Sequence, residues 1–188
     1  MEIGEQHTLK PNSPFLLGLA VLVGTTAVVG CSSEGPKRAF SVPKSLCGVS
    51  VSTEALSGLL PASGKKVAVE QVGEPTDGSI LCNVEVDGTM VLVVDVERIN
   101  PGDDSARHIL TSRLHPPEQK TMDEDAIAYS DRGSASLTEC RGAGVEKEDV
   151  SVFIKVLKPG RNDESAMKGL ISSYTTSFRK QQPCRPAS

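Results

Sequence analysis

Apolar residues change their spacing several times along the chain, and each change predicts an element. Residues 15–30 read FLLGLAVLVGTTAVVG, an unbroken apolar run inside a window that carries no charge from Pro11 to Ser33. As a helix rising about 1.5 Å per residue it covers roughly 24 Å, short of the ~30 Å hydrocarbon core. That length suits a secretory h-region better than a permanent span. Farther on, Ala55, Leu56, Leu59 and Leu60 share one helical face, with Ser52 as N-cap, Glu54 near the positive end of the dipole and Pro61 as the stop. Residues 67–72 (VAVEQV) and 79–86 alternate as strands, the second around Cys82, with Asp77-Gly78 turning between them. Asp87-Gly88 predicts a hairpin into a third strand over 89–97. Residues 90–94 (MVLVV) are the most apolar piece downstream of the leader, so that strand is expected in the centre of a sheet.

Asn100-Pro101-Gly102 breaks this pattern. Asp103 or Asp104 is then expected to cap a helix carrying Ala106, Ile109, Leu110 and Leu114, halted at His115-Pro116-Pro117. A second meander is predicted over residues 125–130, 134–141 and 150–157, with Asp131-Arg132-Gly133 in its first turn. Lys158-Pro159-Gly160 leads to a last helix capped by Asn162 or Asp163, whose stripe of Met167, Leu170, Ile171, Tyr174 and Phe178 suits packing on a sheet. The expected fold is α+β: an antiparallel sheet of about six strands, in two three-stranded meanders, with helices packed on it. The expected division is a signal peptide over 1–30, a lipidated cysteine and tether over 31–45, and one domain over 46–188. The two halves are alike in outline, but identities across the 58-residue offset between Cys82 and Cys140 are poor.

The apolar leader closes on Val28-Val29-Gly30-Cys31, which resembles the lipobox of bacterial lipoprotein signals. Val28 takes the aliphatic place, Gly30 the small residue before the cut, and Cys31 the lipidated position. A thiol is nucleophilic enough to form a thioether with a diacylglyceryl group, and a small residue before it leaves room for the peptidase. Two acyl chains, at about 0.8 kcal/mol per buried CH₂, hold a protein on a membrane where one would be marginal. Residues 32–38 (SSEGPKR) read as a polar tether. The region before Phe15 sets Lys10 against Glu2 and Glu5, where such signals are usually basic. Two other readings stay open: an uncleaved anchor, or a buried helix followed by an ordinary core cysteine.

With Cys31 acylated, Cys47, Cys82, Cys140 and Cys184 remain, and an even count outside the cytoplasm implies disulfides. Three pairings exist. Cys47 with Cys82 and Cys140 with Cys184 is preferred, because each pair ties a helix-flanking segment to a strand run. The nearest two cysteines are 35 residues apart and form no C-x₂₋₄-C knuckle, so a thiolate metal site is not expected. The mature chain resembles poorly characterised actinobacterial surface lipoproteins that share a cysteine before a short helix, one in an early strand, and a terminal amphipathic helix leading to a final cysteine. The resemblance covers roughly residues 47–184 and rests on layout. It implies an envelope-bound domain with two disulfides and carries over no catalytic residue.

Composition removes further options. The chain of 188 residues sets 20 Lys plus Arg against 24 Asp plus Glu, for a net charge of −4, and has no Trp, two Tyr and four Phe. A basic, aromatic-studded face for nucleic acid is not expected. No cofactor is expected either. His108 and His115 lie about 10.5 Å apart along a helix, too far to share one ion, and read as solvated. Ser63-Gly64-Lys65-Lys66 lacks the earlier glycine and the hydroxyl of a phosphate loop. Thr121 with Glu124 spells a capping box, which makes Asp123-Glu124-Asp125 a first helical turn rather than a cation site. Glu146, Lys147, Glu148 and Asp149 read as a solvated loop, and the mature aromatics Phe40, Tyr129, Phe153, Tyr174 and Phe178 are too few to grip sugars.

The expectation is a non-catalytic module on the extracytoplasmic face of the cell membrane, held by a diacylglyceryl anchor, that binds an envelope protein or a small ligand. The alternative is a small envelope hydrolase using carboxylates or His108. A cleft with converging, buried titratable groups favours the enzyme, and an apolar or flat surface favours binding.

Overall fold

The computed structural model describes residues 37–74 and 78–187. The expected signal peptide, with Gly30 and Cys31 at its end, lies outside the described residues, as do the first part of the tether and Asp77. The elements are β1 (Ser45–Leu46), β2 (Val49–Ser50), α1 (Thr53–Leu59), β3 (Val67–Val72), β4 (Ser79–Val86), β5 (Thr89–Ile99), α2 (Ala106–Leu114), β6 (Lys120–Met122), β7 (Ile127–Tyr129), β8 (Gly133–Cys140), β9 (Glu148–Val156) and α3 (Glu164–Lys180). Strands β1 and β2 pair as a small sheet. The other seven form one antiparallel sheet in the order β3-β4-β5-β9-β8-β7-β6.

Both expected meanders are present, and they join where β5 pairs with β9, Val94 opposite Ile154. The strand carrying residues 90–94 is thus interior, next to the middle strand β9, which is buried along nearly its whole length. The second meander has one strand more than expected. Its extra member, β6, pairs Lys120 with Tyr129 and Met122 with Ile127, where the capping box predicted a helix. Asp123, Glu124 and Asp125 instead take φ of 56°, 53° and 66° and form a left-handed turn between β6 and β7. Aspartate is among the residues that tolerate this region best, and pairing with β7 satisfies the backbone of β6 as a helix start would have.

Side-chain caps fix the helix starts. Ser52 accepts from the Ala55 N–H at 3.2 Å, and Asp163 from that of Ala166 at 2.9 Å. For α2 the cap is Ser105, which accepts from the His108 N–H at 3.1 Å, not Asp103 or Asp104. Asp104 lies one residue too early, so it accepts from the Ser105 N–H and pairs with the His108 ring. The end of α1 is closed by two arginines: Arg38 donates to the carbonyls of Ser57, Leu60 and Pro61, and Arg161 to those of Ser57 and Leu60. Phe40 and Val42 also pack on the core, so the domain's packing reaches upstream of the expected boundary at residue 46.

Helices α1 and α3 cover one face of the sheet and α2 the other. The larger core lies under α1 and α3, from Leu56 and Leu59 through Val84, Leu92, Val94, Val152 and Ile154 to Met167, Leu170, Ile171 and Tyr174. The smaller core packs Ala106, Ile109 and Leu110 of α2 on Ala128, Ala135 and Phe153. Two disulfides close the structure: Cys47–Cys82 ties the β1–β2 turn to β4, and Cys140–Cys184 ties the tail after α3 to the end of β8. These are the preferred pairs. Among the described residues, no helix is long and apolar enough to cross a membrane.

Candidate functional site

Helix α3 packs over β7 and β8, so it does not close the β4–β5 end of the same face. A cavity of about 430 Å³ remains there, roofed by the β1–β2 turn, the last turns of α3 and the tail. Alternation decides which side chains reach it. Ile80 and Cys82 of β4, Val96 of β5 and Val150 of β9 all point to the α1–α3 side, because register pairs Cys82 with Val94 and Val96 with Val152. Val49, Tyr174 and Phe178 complete an apolar wall, and Cys47 and Cys184 place both disulfides in the lining. Tyr174 is 2% exposed, and burial holds its pKa well above the usual tyrosine value.

Among the described residues, two charged side chains reach the cavity, Arg98 and Arg185. Both also line a polar cleft of about 450 Å³ shared with Asp103, Glu146, Lys147 and Glu148. Glu148 is the hub between them. Arg98 Nη1 donates to Glu148 Oε1 and Arg185 Nη2 to Oε2 at 2.8 Å. Burial alone would raise this carboxyl, but hydrogen bonds from Arg185 and the charges of Arg98 and Arg185 hold it below the usual carboxylate range. Arg98 Nη2 also donates to the Pro183 carbonyl at 3.0 Å, and Arg185 pairs with Glu146 at 2.8 Å. Backbone bonds join Glu146 to Arg185 and Ala187 to Gly144. The tail is therefore strapped across the cavity by a disulfide, two arginines and a short backbone pairing.

Glu148 and Asp149 thus correct the expectation of a solvated loop: they are 6% and 2% exposed, inside β9. Asp149 Oδ2 accepts from the Gly102 N–H at 2.9 Å. Its Oδ1 lies 2.7 Å from Arg141 Nη1, an ion pair without hydrogen-bond alignment, since that nitrogen donates to the Cys140 and Glu148 carbonyls. Periodicity could not find this pair. A Glu-Asp dipeptide reads as loop until arginines distant in sequence arrive to neutralise it.

The remaining sequence candidates do not converge. His108 is exposed on α2, and His115 ends that helix at φ 47°. At Gly64-Lys65-Lys66 the loop does cradle an anion, but the anion is the chain's own Asp87, which accepts from the N–H groups of Lys65 and Lys66 at 2.8–3.0 Å. Asp123 pairs with Arg179 of α3 at 2.9 Å. On the opposite face Arg113 spans Asp95 and Glu97; burial first, and Glu97 second, push the Asp95 carboxyl up against that pairing. Among the described residues, no group of three His, Cys, Asp or Glu is placed to hold a metal ion. Arg98, Tyr174, Phe178 and Arg185 were not singled out for function from the sequence; the one signal was Arg98, a cation at the end of an otherwise apolar-and-acidic strand.

No protein-family model, no curated protein and no solved structure matches this chain.

Proposed function

We propose that this protein is a lipid-anchored module on the extracytoplasmic face of the cell membrane that binds a small, mainly apolar ligand between α3 and the sheet. The observation that carries the reading is the cavity itself: about 430 Å³, apolar on most sides, and stapled by both disulfides. That volume falls within the range of roughly 300–1,000 Å³ usual for small-molecule sites. Its charged groups among the described residues are two arginines, both paired with Glu148, so no acid and base converge in its described lining as the hydrolase alternative would need. The membrane part of the reading is supported by Val28-Val29-Gly30-Cys31 and by the layout shared with actinobacterial surface lipoproteins. Four downstream cysteines, all paired, fit an oxidising compartment.

Two measurements test the two parts. Titrating the full chain with the neutral fluorescent probe N-phenylnaphthylamine should give a saturable, one-to-one rise in emission. Ile80→Trp, which fills the cavity, should abolish it; an unsaturable signal, or one indifferent to that substitution, removes the ligand reading. Expression in a host that lipidates proteins, with labelled palmitate, should label the chain, and Cys31→Ser should leave an unlabelled precursor. Equal labelling of that variant would refute the anchor.

A further inference from the structure

We infer that the ligand is a single-chain amphiphile with an anionic head, the chain lying beneath α3 and the head at Arg98. This rests on the reading of the cavity as a ligand site and names the chemistry that site selects. At about 30 Å³ per methylene, close to the liquid-phase share of a water molecule, the cavity admits roughly fourteen chain atoms, enough for one medium-length chain. Ile80, Val96, Val150 and Phe178 offer that chain no polar group.

The head is assigned by charge. The chain carries a net −4, yet among the described residues the charged side chains in the cavity lining are both cations, and no described carboxylate lines it. Glu148, which neutralises part of their charge, lines the polar cleft instead. Arg98 therefore stands where the apolar chamber meets the polar cleft. Its guanidinium carries five N–H groups, of which the described bonds engage one on each Nη, toward Glu148 and Pro183. The others have no hydrogen-bond partner among the described residues and can meet an oxyanion through charge-assisted bonds. The hydroxyl of Tyr174, a residue 2% exposed that lines the cavity, is a further donor along the wall. A cationic amphiphile would meet two like charges at the neck, and a neutral one would leave the guanidinium no better satisfied than before.

The test displaces bound N-phenylnaphthylamine from the full chain with dodecanoate, dodecanol and dodecylamine below their micellar concentrations. Dodecanoate should displace at a concentration at least about tenfold lower than dodecanol, the ratio expected of one charge-assisted hydrogen bond, and dodecylamine should be weakest. Arg98→Gln should bring the dodecanoate-to-dodecanol ratio to within a few fold of one, the ratio being read within the variant, and Arg98→Lys should keep part of the preference. If Arg98→Gln fails to fold, Tyr174→Phe gives the second reading: a fall of a few fold in the dodecanoate-to-dodecanol ratio relative to the wild type, and an unchanged ratio there overturns the anionic head. Equal displacement by dodecanoate and dodecanol overturns the anionic head while the apolar site stands. Failure of the probe itself to bind removes the site, and the two failures are thereby distinct.

Discussion

Glu148 shows how one residue's partners set a pH dependence. Its folded-state pKa lies below the ordinary value of 4.5, while the unfolded chain titrates near that value. Between the two, the unfolded state holds a proton that the folded state lacks, so stability rises with pH. The contribution is full above about pH 5 and is lost as the pH falls through the folded value. Melting temperatures of the wild type should therefore decline from pH 5 to pH 3 more steeply than those of Glu148→Gln; parallel curves would contradict the pairing. At neutral pH the same variant should lose about 2–3 kcal/mol, the low side for a broken buried pair because glutamine still accepts one hydrogen bond. Asp87 makes a second case. It occupies φ 52° in the β4–β5 turn while its carboxylate holds the Lys65 and Lys66 N–H groups. Asp87→Asn keeps the turn preference and Asp87→Ala keeps neither role, so alanine should lower the urea midpoint more than asparagine.

At the scale of elements, α1 and α3 meet through small residues at matched spacing, Ala55 and Gly58 on one helix and Ala166 and Gly169 on the other. A methyl built at Gly58 would lie 2.6 Å from the Ala166 Cβ, and one at Gly169 would lie 3.1 Å from the Ala55 Cβ. The helices are thus as close as their backbones permit, and neither contact ends in a flexible side chain that could swing away. Gly58→Ala gains about 1 kcal/mol in helix propensity but overpacks this crossing at about 1–3 kcal/mol. The expected net effect is a loss of stability, with partial rescue by Ala166→Gly in the double variant, measured by denaturant unfolding. A stabilised Gly58→Ala would show that the crossing is looser. The same crossing matters for the site, because the last turns of α3 carry Tyr174 and Phe178 into the cavity wall.

For the whole molecule, closure comes from covalent links at one end of the sheet. Cys47–Cys82 and Cys140–Cys184 close loops of 35 and 44 residues, each worth about 4 kcal/mol in the chain-entropy account. Replacing Cys140 and Cys184 by serine should cost about 3–4 kcal/mol. It should also speed amide exchange at Glu146 and Ala187, whose N–H groups bond within the tail strap. Exchange left slow at both amides would mean that Arg98 and Arg185 suffice to hold the strap. Away from this end the described residues cover only part of the second face: α2 packs on β7, β8 and β9, and Val72 and Leu81 are 49% and 40% exposed. Leu81→Thr, on that open side, should change stability by no more than about 0.5 kcal/mol.

Much of this architecture was legible locally. The period-two runs at 67–72 and 79–86, the Asp87-Gly88 turn, a cap at Asp163, one of the two residues expected there, and the stripe from Met167 to Phe178 all appear where the pattern placed them. Each depends on residues within a few positions of one another, whereas the cysteines left three pairings open, and the structure contains the preferred one. Three features needed the assembled chain. The Thr121 and Glu124 box lost to strand pairing with β7, because an edge strand satisfies the same backbone groups and continues the sheet. Glu148 and Asp149 became buried because Arg98, Arg141 and Arg185, drawn from three separate segments, neutralise them. The cavity has no local signature, since its walls come from a hairpin, four strands, a helix and a tail that only folding brings together. Spacing along the chain determined the elements; charge compensation and uncovered volume are sums over distant residues, and those were decided in three dimensions.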